Sequence, residues 1–111
     1  MNRYLQINPL WFSRLTEKKP LVYLLDQIFL KMQWNSVDVT VDVREAALAA
    51  YTNIRSIRYA LMSYEGFGVL KVDRANSKNP VYQCKINPEI MFYGSEEEHK
   101  KALEEWKGEA I

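Results

Sequence analysis

Arg55 and Arg58 are the residues of this chain best suited to binding chemistry. A spacing of three puts both on one face of a helix. A guanidinium there can donate paired hydrogen bonds to a phosphate or to the O6 and N7 edge of guanine. Thr52, Asn53, Ser56 and Tyr59 surround them with hydroxyl and amide groups, which suit phosphates and base edges. Further along, Lys71, Arg74 and Lys78 add cations, with Asn76 and Ser77 between them. Catalytic spacing is missing. Cys84 and His99, the one cysteine and the one histidine, fall in different predicted elements with no third group to orient them, so a nucleophile–base pair is not expected. The expected readings are a buried strand cysteine and a helix-surface histidine. One cysteine allows no intrachain disulfide and no cysteine-rich zinc site. Glycines are scattered and form no phosphate loop. The expectation is therefore no enzyme, no cofactor and no metal.

Charge sharpens this picture. The 111 residues hold 15 basic and 14 acidic side chains, a net charge of +1. That total alone argues against a strongly basic nucleic-acid binder. It is unevenly divided, however. Residues 44–85 carry seven basic and three acidic groups, net +4, whereas residues 86–111 carry three and seven, net −4. The acidic excess lies in the last segment, in Glu96, Glu97, Glu98, Glu104 and Glu105. It reads as a solvated helix face or as a surface for a replication or transcription protein anchored by Trp106.

The elements that must position the arginines follow from patterning. Residues 3–7 alternate and read as a short strand or arm, closed by Asn8-Pro9. Residues 10–16 can form a turn of helix. Leu21, Leu24, Leu25, Ile28, Phe29 and Met32 form one apolar stripe, which predicts a helix from about residue 18 to 33. Residues 37–41 alternate as a strand. Asp42, three before Glu45, has capping-box spacing for an alanine-rich helix over 43–50. Thr52 or Asn53 caps the next helix, which runs from Ile54 to Tyr64 and turns Ile57, Leu61 and Tyr64 inward. Its outward face is then Ile54, Arg55, Arg58, Tyr59 and Met62. Residues 66–68 supply a glycine stop. Two strands, 69–72 and 81–86, make a hairpin whose tip, residues 73–80, is polar and turn-rich. Residues 90–93 are an apolar patch. Ser95 and Glu98 box the start of a last helix, about 95–107.

This order predicts an α+β fold and a single domain over 1–111. It is a mainly helical winged helix-turn-helix: helix-turn-helix about 42–65, two-stranded β-hairpin wing about 68–86, and an extra C-terminal helix. In such folds the second helix of the pair enters the DNA major groove. The expected partner is double-stranded DNA, contacted by Thr52, Asn53, Arg55, Ser56, Arg58, Tyr59, Lys71, Arg74 and Lys78. Tyr51 departs from the pattern, since many such turns have glycine there. The aromatic set Tyr4, Trp11, Phe12, Tyr23, Phe29 and Trp34 is expected mostly in the core, with some of it available to a homodimer interface. No apolar run has the length of a membrane span, and the start lacks the apolar stretch of a secretory signal. Together with the lone cysteine, this predicts a cytoplasmic protein.

From about Lys19 to Trp106 the chain resembles plasmid replication proteins of the RepL type. The resemblance rests on PLVYLLDQIFLKM, on VTVDVREAALAA leading into TNIRSIRYAL, and on FGVLKV. Most of all it rests on the run from Tyr82 to Gly94, similar to that family's Y-x-x-x-(I/V)-N-P-x-I-x-F-x-G. The resemblance implies a small bacterial winged-helix initiator that binds a replication origin. It places recognition on Asn53, Arg55, Ser56 and Arg58, and the wing on residues 71–78. A related phage or mobile-element protein, a transcriptional regulator of the same fold, and a winged helix used for protein contact are the alternatives.

Overall fold

Asn8 opens the first helix because its side chain accepts the Leu10 N–H at 3.0 Å, and Pro9 follows where a missing N–H costs nothing. The computed structural model describes residues 4–109. Arg3, assigned above to the first strand, lies outside them. The elements are β1 (Tyr4–Ile7), α1 (Pro9–Leu15), α2 (Lys19–Lys31), β2 (Asp38–Asp42), α3 (Val43–Ala49), α4 (Ile54–Gly66), β3 (Leu70–Lys78), β4 (Val81–Ile86), β5 (Met91–Gly94) and α5 (Glu96–Glu109). The fold is α+β, about half helical, with two small antiparallel sheets.

Three strands join in the order β2-β4-β3, with Val39 opposite Cys84 and Leu70 opposite Ile86. One face of this sheet buries Val39, Val41, Leu70, Cys84 and Ile86. Against it lie Leu21, Leu24, Leu25 and Ile28 of the predicted α2 stripe and the inner face of α4 (Ile57, Ala60, Leu61 and Tyr64), all buried, while Phe29 and Met32 of the stripe are half-buried. Full burial of each large aliphatic contributes roughly 1.5–3 kcal/mol before chain entropy is counted. Alanines do the fitting: Ala46 and Ala47 of α3 and Ala60 of α4 are buried, so the backbones can come close. The Tyr64 hydroxyl donates to the Leu21 carbonyl at 2.7 Å, which satisfies a buried phenol and ties α4 to α2.

Several boundaries differ from the sequence reading. Residues 90–93 are not only an apolar patch: Met91–Gly94 is a strand, and it pairs with β1 in a second sheet. The pairing joins segments more than 80 residues apart, so no local pattern announces it. The run beginning at Asn87 holds this flank together. The Asn87 N–H donates to the Val69 carbonyl at 2.8 Å and its amide to the Gly68 carbonyl at 3.0 Å. The Pro88 carbonyl accepts from His99 Nε2 at 2.7 Å, and the Ile90 carbonyl accepts from the Asn8 N–H at 2.8 Å. His99 is therefore no surface histidine. It is half-buried and stacked on Phe92 with ring centroids 4.9 Å apart.

The polar stretch 73–80 is mostly strand rather than loop. β3 runs on to Lys78, and only Asn79 and Pro80, joined by a cis peptide, form the turn. Side chains keep the stretch in place. The Asp73 carboxylate accepts from the Asn76 backbone and amide, while the Ser77 hydroxyl donates to the Asp73 carbonyl and accepts the Gln83 N–H at 2.9 Å. Asn76 and Ser77 are thus committed within the hairpin. The aromatic set, apart from Tyr4, whose side chain lies outside what is described, is also placed differently: Trp11, Tyr23 and Phe29 are half-buried at the rim of the core, Trp34 is half-buried, and Phe12 is exposed. The aliphatic side chains of α2, α4 and the sheet already fill the interior.

Candidate nucleic-acid interface

The link between α3 and α4 is built from local rules. Asp42 caps α3, accepting the Arg44 and Glu45 N–H groups at 2.9 and 3.2 Å. At the far end, the Thr52 N–H donates to the Ala47 carbonyl at 2.9 Å and the Tyr51 N–H to the Leu48 carbonyl at 3.3 Å. This pair of bonds is the Schellman closure. It needs a left-handed residue, and Tyr51 supplies it with φ 53°. Asn53 then caps α4 by accepting the Ser56 N–H at 2.9 Å. Its side-chain oxygen is therefore occupied as a cap, leaving the amide NH2 as its outward donor.

Helix α4 turns Arg55, Arg58, Tyr59 and Met62 to solvent, as the spacing predicts. Ile54, expected beside them, is half-buried and packs toward the core. Thr52 and Ser56 are half-buried at the helix start. Arg55 has no side-chain partner among the described residues. Arg58 donates from Nη2 to Asn79 Oδ1 at the hairpin turn, at 2.6 Å. Tyr59 accepts from Lys18 Nζ at 3.2 Å. That hydrogen bond, with the ammonium's charge behind it, lowers the Tyr59 pKa below its usual 10.0 and raises that of Lys18. Lys18 thereby joins the exposed face of α4. Neither Lys18 nor Asn79 was legible as a site residue, because each meets α4 across at least 20 residues of chain.

The hairpin cations divide. Lys78 is exposed and has no side-chain partner among the described residues. Arg74 is paired with Glu65 of α4 at 2.6 Å. Such an exposed pair contributes at most about 1 kcal/mol to stability, but it neutralises the arginine's charge. Lys71 is not at the tip. It pairs opposite Lys85 near the base of the hairpin, half-buried, with its ammonium 4.0 Å from the centroid of the Trp106 ring of α5. This cation–π contact holds the ammonium against α5, away from the hairpin turn. Between α4 and the hairpin runs a groove of about 270 Å³ walled by Leu61, Met62, Val72 and Tyr82.

The arrangement can bind anions and flat polar edges. Catalytic chemistry finds no support in Cys84, whose thiol is pushed up to about 12 by burial, with Glu65 adding to the shift. Among the described residues, no three His, Cys, Asp or Glu side chains are grouped to hold a metal ion, and no helix is long and apolar enough to cross a membrane. No family model, curated protein or solved structure matches the chain.

Proposed function

We propose that the chain is a winged-helix protein that binds double-stranded DNA in a sequence-specific manner. In this reading α3 and α4 are the helix-turn-helix, α4 is the recognition helix, and β3–β4 is the wing. The observation that carries it is the exposed face of α4, where Arg55, Arg58, Tyr59 and Met62 stand beside a hairpin bearing the exposed Lys78. The element order and the β2-β4-β3 sheet fit the same reading. Arg55 and Arg58 read guanine edges; Thr52, Ser56, Tyr59 and Lys78 hold phosphates. The resemblance to RepL-type proteins supports a role in initiating plasmid or mobile-element replication, with transcriptional regulation as the nearest alternative. Catalysis has no part in it.

Few cations on this face are unpaired, so one protomer neutralises few phosphates and tight binding calls for a homodimer or a partner protein on the DNA. Duplex binding is expected to weaken steeply with salt, through counterion release. Arg55→Ala and Arg58→Ala are each expected to remove about 1–3 kcal/mol of discrimination between duplexes. Unchanged binding of both variants in a fluorescence-polarisation titration rejects α4 as the recognition helix. The replication role is tested separately, by whether DNA carrying this gene and its flanks is maintained as a replicon. A second reading, contact with a protein, draws on Leu48 and Tyr51, which are 78% and 99% exposed at the α3–α4 turn. Binding to a partner with little salt dependence and no duplex affinity favours it.

A further inference from the structure

We infer that Asn79 and Glu65 are positioning residues, Asn79 aiming Arg58 at the DNA and Glu65 withholding Arg74 from it. The inference rests on the DNA-binding reading of α4. Arg58 and Glu65 are seven residues apart and so share one stripe of the helix. Each reaches the hairpin: Arg58 to Asn79 at 2.6 Å, and Glu65 to Arg74 at 2.6 Å. The two tethers bracket the groove walled by Leu61, Met62, Val72 and Tyr82 and fasten the hairpin along two turns of α4.

Their consequences are opposite. An arginine that must find a base edge loses rotamer freedom when it binds. The bond to Asn79 removes part of that freedom beforehand and uses one of the five guanidinium N–H donors. Asn79 can hold an aim because its own backbone is fixed. It lies in a two-residue turn between the paired residues Lys78 and Val81, and the adjoining Pro80 carbonyl accepts the Val43 N–H of α3 at 3.0 Å. Glu65 instead cancels the charge of Arg74, which is then a poor phosphate ligand and releases no counterion. The hairpin thus contributes orientation through one arginine while general affinity is held down at the other.

The test compares a duplex enriched by the wild-type protein from a random-sequence pool with a shuffled duplex of the same composition. Asn79→Ala is expected to cut the preference for the enriched duplex about tenfold and to leave the salt slope unchanged. In an Arg58→Ala background the same change is expected to cost nothing. Glu65→Gln is expected to strengthen binding to both duplexes and to steepen the salt slope by about one counterion. In the free protein, nitrogen NMR is expected to show slower guanidinium rotation for Arg58 than for Arg55, a difference that Asn79→Ala abolishes. An undiminished loss in the Arg58→Ala background overturns the role of Asn79. A salt slope unchanged by Glu65→Gln overturns that of Glu65, and equal rotation of the two arginines overturns the tether. If the wild type binds no duplex, the DNA-binding reading fails and takes this inference with it. Duplex binding that persists while the variants fail overturns the inference alone.

Discussion

Helices α3 and α4 end in the same way with different residues. At the end of α4, the Val69 N–H donates to the Tyr64 carbonyl at 2.9 Å and the Gly68 N–H to the Glu65 carbonyl at 3.1 Å. This is the closure that Thr52 and Tyr51 make at the end of α3. Gly68 holds the left-handed position with φ 78°, and Tyr51 holds its counterpart with φ 53°. One end uses the residue that the backbone favours. The other carries a side chain that is 99% exposed, at a cost of about 1–2 kcal/mol for a residue with a Cβ. The shared motif is therefore dictated by geometry, namely the need to turn the chain sharply and satisfy the last carbonyls. The residue at its hinge is free to differ.

Gly94 marks the limit of that comparison and should give the largest effect. A Cβ there would collide with Asn35 Oδ1 and would meet Phe92 Cε2 at 2.5 Å. Neither neighbour can give way: Asn35 accepts the Ser95 N–H at 2.9 Å, and Phe92 is buried. Gly94→Ala should destabilise by roughly 1–3 kcal/mol in urea denaturation, because it overfills a packed site. A neutral result would mean that glycine there serves neither space nor backbone freedom.

Raising the pH probes the α4 end without a substitution. Burial raises the Tyr64 pKa above its usual 10.0, and it pushes Cys84 from 9.0 up to about 12. Both groups hold their protons more tightly folded than unfolded. The stability they confer is complete below about pH 9 and is lost as pH rises toward the folded values. The initial slope should be about 1.4 kcal/mol per pH unit, from one proton. Cys84→Ala should remove the part of that slope that begins near pH 9, and native Cys84 should resist thiol reagents until the protein unfolds.

The two helix ends should then respond in opposite directions. Gly68→Ala should destabilise by about 1 kcal/mol, since alanine must take up a positive φ. Tyr51→Gly should stabilise by less than about 1 kcal/mol, as the relief of the left-handed residue is partly offset by the entropy of glycine in the unfolded chain. Loss of stability on Tyr51→Gly would instead assign the tyrosine ring a contact worth more than its strain. The smallest effect is expected at Gly66. It is the last residue of α4, with nothing within 4 Å of an added Cβ, so Gly66→Ala should gain a few tenths of a kcal/mol from helix propensity.

The caps and stripes explain why this half of the molecule was legible. Asp42 and Asn53 bond to N–H groups two or three residues away, and Ile57, Leu61 and Tyr64 follow the helical period. Information of that range is present in any short window of sequence. The acidic last helix was found for the same reason, through Ser95, which accepts the Glu98 N–H at 3.3 Å. The stretch 73–78 was not, because Asp, Asn and Ser are turn formers by composition. Only the bond from Gln83 to Ser77 shows that their side chains substitute for strand pairing.

The candidate site divides along the same line. Sequence determined which side chains α4 turns outward, because the inward positions are apolar and the helical period then leaves Arg55, Arg58, Tyr59 and Met62 no other face. It also determined the basic excess of residues 44–85. Tertiary structure alone decided which of those charges stay unpaired. Glu65 claims Arg74, Asn79 claims one edge of Arg58, Trp106 covers Lys71, and Lys18 arrives beside Tyr59 from the link between α1 and α2. These partners are set by how helix and hairpin close on each other. A side chain's charge is written in the sequence, but whether that charge is available depends on the groups that folding brings within a few ångströms of it.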